Sequence, residues 1–155
     1  MSGLKLGDAI PAVKPLDADG TTVDLAAMKG APLVVYFYPK ADTPGCTVEA
    51  QDFTRLAPEF AYLHAQVLAI SRDAPTKLCK FRDKYGLTVR LASDEDGAMC
   101  EAFGTWVEKQ NYGRCYMGIE RSTFLFGADG KLVKEWRKVR VKGHAEAVLE
   151  AAKAL

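Results

Sequence analysis

Apolar and polar positions follow two different periods along the chain, and the stretch from Leu33 to Phe60 shows both. Leu33 to Tyr38 (LVVYFY) is a short apolar run rich in β-branched and aromatic residues, which predicts a buried strand that Pro39 brings to an end. Thr43-Pro44 then reads as a helix start, with the threonine hydroxyl free to cap and proline tolerated at the first helical position. Beyond it, Cys46, Ala50, Phe53, Ala57 and Phe60 form an apolar stripe at helical period, while Pro58 predicts a kink or break just before it. Gln66 to Ser71 is a second apolar strand. Asp73-Ala74-Pro75 opens a second helix, with Leu78, Phe81 and Tyr85 as its buried face and Gly86 as its stop.

The remaining pattern is less regular. Leu4 to Leu25 holds short extended patches broken by Pro11, Pro15 and Asp19-Gly20, which predicts a small hairpin ahead of the main fold, and Ala26 to Gly30 a single helical turn. Met99, Cys100, Ala102 and Phe103 fall on a short helix, and Asn111-Tyr112-Gly113 marks a turn. Ile119 to Phe126 reads as one strand, joined through Ala128-Asp129-Gly130 to Lys131 to Trp136 as a hairpin. A last helix, Gly143 to Leu155, packs Ala145, Val148, Leu149 and Ala152. Alternating strands and helices followed by a hairpin and a closing helix predict a three-layer α/β domain with a mixed sheet flanked by helices. No repeat or linker divides the chain, so residues 1–155 are expected to form one domain.

Length and charge change this picture little. The 155 residues suit one core, and 21 Lys plus Arg against 20 Asp plus Glu leave no electrostatic reason to expect nucleic acid or an anionic membrane. The basic run from Trp136 to Lys142 alternates with apolar residues and reads as a solvated edge. No apolar stretch approaches the roughly 20 residues that span a bilayer, and a cytoplasmic protein is expected.

The cysteines carry the candidate chemistry. Cys46, Cys79, Cys100 and Cys115 contain no CxxC pair, and His64 and His144 supply no closely spaced metal-ligand element, so neither a zinc site nor a thioredoxin-type exchanger is expected. Cys46 falls in the first turn of its helix, where unpaired backbone N–H groups and the helix dipole favour a thiolate. An arbitrary free cysteine is more often a small buried hydrophobe, and Cys100, among Met99, Ala102 and Phe103, fits that description. Cys79 lies beside the apolar stripe of its helix, flanked by Lys80, Arg82 and Asp83, and is expected to be partly exposed. Cys115 reads as a loop cysteine next to Arg114. Arg121 shares a face with Thr123 in a mostly apolar strand, where burial demands an anionic partner. From the residues alone, a surface carboxylate serves as well as the Cys46 thiolate.

Pro39, Thr43 and Cys46 match the active-site pattern Pro-x-x-x-Thr/Ser-x-x-Cys, and with FYPKADTPGCTVEA around them the sequence resembles the peroxiredoxins, in particular the peroxiredoxin Q branch, over nearly the whole chain. The resemblance implies a thioredoxin-like fold with the peroxiredoxin N-terminal extension, reduction of hydroperoxides at Cys46, and no metal, flavin or haem. It assigns Arg121, Thr43 and backbone N–H groups to the peroxide oxygens, Pro39 to shielding the sulfur, and Glu49 to orienting the cations behind it. Many members carry a second cysteine five residues after the first, where this chain has Gln51. The resolving thiol is therefore expected at Cys79, with Cys115 as runner-up. The expected reductant is thioredoxin, or alternatively glutaredoxin or glutathione, and the expected state is monomeric. A one-cysteine enzyme recycled by a mixed disulfide and a redox-responsive chaperone are the rival readings.

Overall fold

The sheet is built outward from the apolar run after Pro32. In the computed structural model, which describes residues 3–155, Leu33–Phe37 forms a strand with every residue buried. In chain order the strands are β1 (Leu16–Asp17), β2 (Leu33–Phe37), β3 (Gln66–Ser71), β4 (Arg90–Ser93), β5 (Trp106–Asn111), β6 (Arg114–Ile119), β7 (Ser122–Phe126) and β8 (Leu132–Trp136). The helices are α1 (Pro44–Arg55), α2 (Ala57–Tyr62), α3 (Pro75–Tyr85), α4 (Ala98–Phe103) and α5 (His144–Lys153), with a 3-10 turn at Leu25–Met28. Six strands form a mixed sheet in the order β1-β4-β3-β2-β7-β8, parallel across β2, β3 and β4 and antiparallel elsewhere. β5 and β6 pair separately as an antiparallel hairpin.

Alternation along β2 sorts the core into two layers. Val34, Tyr36 and Tyr38 pack toward Phe53 and Phe60 of α1 and α2, Leu78 and Phe81 of α3, and Val148 and Leu149 of α5. Leu33, Val35 and Phe37 face the opposite layer with Met99, Cys100 and Phe103 of α4 and Phe124 and Phe126 of β7. Tyr36 stacks on Phe53 with ring centroids 4.5 Å apart, which fixes α1 over the centre of the sheet. A strand buried on both faces reads as a continuous apolar run, which is why β2 was visible in the sequence.

Helix boundaries follow local chemistry. The break anticipated at Pro58 falls at Leu56, between α1 and α2, and Gly86 ends α3 in the left-handed conformation that the helix stop required. Several expectations need correction. The hairpin expected around Asp19-Gly20 forms as one antiparallel bridge from Leu16 to Thr22, with Asp17 N donating to the Thr21 carbonyl at 2.8 Å, but it is not separate from the main fold, because β1 also pairs antiparallel with β4 at the sheet edge. Ile119 to Phe126 is not one strand, because Glu120 and Arg121 separate β6 from β7 and let the two strands join different sheets. Cys115 lies within β6 and not in a loop. The basic run after Trp136 is not a strand; Arg137 turns inward to donate to the carbonyls of Gly104 and Phe103 at 2.9 and 3.0 Å. Among the described residues no helix is long and apolar enough to cross a membrane.

Candidate active site

The start of α1 carries the candidate sulfur, that of Cys46. Thr43 occupies the N-cap position with extended backbone, and Pro44 opens the helix. The expected side-chain cap is absent: the Thr43 hydroxyl instead donates to the Lys40 carbonyl at 2.7 Å, closing the turn that leads out of β2. The first helical hydrogen bond runs from Thr47 N to Thr43 O at 2.9 Å, so the amides of Gly45 and Cys46 precede it and have no helical acceptor. Cys46, 2% exposed, therefore sits at the positive end of the helix dipole with its sulfur screened from bulk water.

A cation reaches this sulfur from the far side of the sheet sequence. Arg121 lies in the two-residue link between β6 and β7, and one guanidinium nitrogen stands 3.4 Å from Cys46 Sγ. Its other terminal nitrogen donates to Glu49 Oε1 at 2.6 Å. Glu49 is three residues beyond Cys46 on the same helical face, so one planar fork reaches both groups. A Cβ at Gly45 would come within 3.3 Å of the same guanidinium, so the glycine gives the arginine room against the helix start. Burial pushes the Glu49 carboxyl up to about 7 although Arg121 pulls the other way. Burial also disfavours the Arg121 charge, but the neighbouring Glu49 and Cys46 outweigh it and raise the arginine's affinity for its proton. Behind this cluster, Thr123 Oγ1 and His144 Nε2 are 2.7 Å apart, joining β7 to the start of α5. Burial, aided by the Arg121 charge, pushes His144 down to about 4, which leaves the ring neutral at neutral pH.

The other cysteines occupy different surroundings, and all four are free thiols. Cys79 of α3 is half-buried against the core layer that contains Cys46. Arg82 donates to its sulfur at 3.3 Å, and Asp83 lies 3.8 Å away. Cys100 is fully buried in the opposite layer, where burial and Asp94 push its thiol up to about 12. Cys115 is exposed on β6, and Pro39 is exposed at the end of β2. Thr43, Cys46, Glu49 and Arg121 are thus gathered at one helix start, and Cys79 sits on the neighbouring helix. That neighbour is clasped to the active-site loop: Tyr85 donates to Asp42 at 2.6 Å, Lys84 pairs with the same carboxylate at 3.0 Å, and Ala41 N donates to Asp73 at 2.8 Å.

Gly45, Thr123 and His144 were not singled out by the sequence. A glycine directly before a candidate nucleophile was a usable signal for close approach, whereas nothing local marks His144 as facing Thr123.

Fold and site together define a thioredoxin-like protein with a buried cysteine and an arginine brought together at a helix start. The chain belongs to the AhpC/TSA family, whose model matches residues 6–135. Its relatives narrow this to the peroxiredoxin Q, or bacterioferritin-comigratory, branch. Peroxiredoxin Bcp of Bacillus subtilis is 44% identical over 150 residues, covering 97% of this chain and 96% of the relative. Peroxiredoxin Bcp of Xanthomonas campestris is 50% identical over 135 residues, covering 87% and 84%. Among solved structures, a cysteine-to-serine mutant of PrxQ from Xylella fastidiosa superposes with a TM-score of 0.93 at 39% identity, covering 99% of this chain and 98% of that one. The bacterioferritin comigratory protein of X. campestris, solved in trapped intermediate and ligand complexes bearing on its alkyl peroxide reduction activity, gives 0.89 at 46% identity, covering 95% and 98%. Membership of this branch makes the chain a peroxidase.

Proposed function

We propose that the chain reduces hydrogen peroxide and organic hydroperoxides through Cys46, that Cys79 resolves the oxidised product within the same chain, and that thioredoxin reduces the resulting disulfide. The observation that carries this reading is the Arg121 guanidinium, which reaches Cys46 Sγ and Glu49 together at the start of α1.

The chemistry follows from that geometry. The Cys46 thiolate attacks one peroxide oxygen, the S–O bond forms as the O–O bond breaks, and the second oxygen leaves as hydroxide or alkoxide. Negative charge is spread over sulfur and both oxygens in the transition state. Arg121 and the free amides of the helix start are donors aimed at that charge in a site shielded from water, while the Thr43 hydroxyl, whose proton goes to the Lys40 carbonyl, presents its oxygen to accept from the peroxide O–H. Glu49 holds the guanidinium in place, and Pro39, in the loop between β2 and α1, is the residue we assign to shielding the sulfur. The product is Cys46 sulfenic acid, which further oxidation would inactivate unless a thiol intercepts it.

Cys79 is the thiol we assign to that step. Its sulfur accepts from Arg82 at 3.3 Å, and its helix borders the same core layer. Attack on the sulfenic sulfur forms the S–S bond and releases water. Cys100 is buried in the other layer, and Gln51 offers no thiol. A disulfide requires Cα atoms within about 7 Å, and the first turns of α1 or α3 are expected to unwind as it forms. The test is peptide mapping after one equivalent of peroxide. Recovery of Cys46 linked to Cys79 is expected; a link to Cys115, or only bridges between chains, would show that another thiol resolves.

A further inference from the structure

The β5–β6 hairpin brings a second cation toward the active site. Lys109 of β5 is paired in register with Tyr116 of β6, and Gly118 lies two residues further along that strand. The lysine does not stand straight over its partner. Its Cδ and Cε lie 3.3 and 3.6 Å from the point where a Gly118 Cβ would be, so the aliphatic stem crosses β6 over the bare glycine. That crossing leans the side chain toward the end of β6, which is followed directly by Glu120 and Arg121. The stem is half-buried, and among the described residues the ammonium has neither an ion pair nor a hydrogen bond. Three charges or potential charges act on it: Arg121 repels it, while Cys46 of α1 and Glu120 of the link attract it. Burial and Arg121 make the ammonium easier to deprotonate than an exposed lysine.

An unpaired, half-buried cation held against a second cation is unfavourable unless negative charge appears nearby. The Cys46 site generates that charge on the thiolate and then on the departing oxygen. We propose that Lys109 is a positioning residue of the Cys46 site, seated by Gly118, whose charge favours anionic sulfur and anionic leaving oxygen during peroxide reduction. This rests on the proposed role of Cys46. The covalent step is unchanged: the sulfur is oxidised, the peroxide reduced, and the departing oxygen takes its proton from water.

The test compares the full chain with Lys109→Gln, Lys109→Arg and Gly118→Val. Gly118 has no left-handed φ, so valine at this strand position adds bulk without backbone strain. Two rates are followed by mass spectrometry of the Cys46 peptide: oxidation by hydrogen peroxide, and alkylation by anionic iodoacetate relative to neutral iodoacetamide. Lys109→Gln should slow oxidation about fivefold, the scale of one partly screened charge interaction. It should also lower the iodoacetate-to-iodoacetamide ratio. Lys109→Arg should restore both, Gly118→Val should resemble Lys109→Gln, and added salt should narrow the differences. Unchanged rates in Lys109→Gln would overturn the proposal, as would a loss equal for both reagents that arginine does not restore. The alkylation ratio reads the field at Cys46 even if Cys46 is not the peroxide nucleophile, so failure of the functional reading and failure of this inference are separable.

Discussion

The Arg121 guanidinium stands 3.4 Å from the Cys46 sulfur although 75 residues separate them in the chain. Antiparallel pairing of β7 with β2 creates this proximity, because Ser122 is in register with Phe37 and Arg121 therefore emerges beside the loop that leads into α1. Removing one charge-assisted donor from a shielded site costs about 10²- to 10³-fold in rate. Arg121→Ala should slow stopped-flow oxidation of Cys46 on that scale. Arg121→Lys, which keeps the charge but cannot fork to Glu49, should fall between the two. An unchanged rate in Arg121→Ala would remove the arginine from the mechanism.

Glu49 and His144 should impose opposite pH dependences on stability. Burial raises Glu49 from 4.5 to about 7, so the folded chain keeps a proton that the unfolded chain releases. Its stabilising contribution is fully present below pH 4.5 and is lost as pH rises through 7. His144 is depressed from 6.5 to about 4, so its contribution is present above pH 6.5 and is lost as pH falls through 4. Each corresponds to about 3 kcal/mol when fully expressed, and between these limits the two nearly cancel. Urea denaturation across that window should show Glu49→Gln gaining stability as pH rises and His144→Asn losing it. Parallel curves for wild type and both variants would contradict the assignment.

The three thiols other than Cys46 should react in an order set by burial. Cys115, exposed on β6, should be alkylated first and Cys79 next, while Cys100, buried and held protonated, should stay unmodified until the chain unfolds. Time-resolved alkylation with peptide mapping reads this directly. Early labelling of Cys100 in the folded protein would show that the α4 layer opens far more readily than its packing implies.

Asp42 should slow the resolving step. Its carboxylate holds Tyr85 and Lys84 of α3 against the active-site loop, and it does so from a left-handed backbone conformation at φ 63°. Unwinding at the start of α1 that carries the preceding loop away from α3 must release these contacts. Asp42→Ala should accelerate formation of the Cys46–Cys79 disulfide about three- to tenfold, with little change in sulfenic acid formation. Equal resolution rates, measured by quenching and mass analysis, would show that the clasp does not limit unwinding.

Much of the fold was legible because β2, β3, α1 and α3 are long or continuously apolar and are bounded by Pro39, Pro44, Pro75 and Gly86. β4 escaped notice because Arg90–Ser93 is four residues long and owes its conformation to pairing with β3. The break at Glu120 and Arg121 was hidden by apolar residues on both sides, and only the assignment of β6 and β7 to different sheets creates it. At the site, local sequence marked Cys46 and Thr43. The glycine clearance for Arg121, the Thr123–His144 contact and the lean of Lys109 depend on tertiary register and left no local signature.

The central claim is that Cys46 is the atom that peroxide oxidises. Its most direct test is one equivalent of hydrogen peroxide added to the reduced chain in the presence of a sulfenic-acid trap, followed by peptide mapping, alongside peroxide consumption by Cys46→Ser. The account predicts the adduct on Cys46 alone, and a folded Cys46→Ser variant that consumes no peroxide above the uncatalysed rate. An adduct on Cys79 or Cys115 in place of Cys46, or near wild-type turnover by Cys46→Ser, would contradict it.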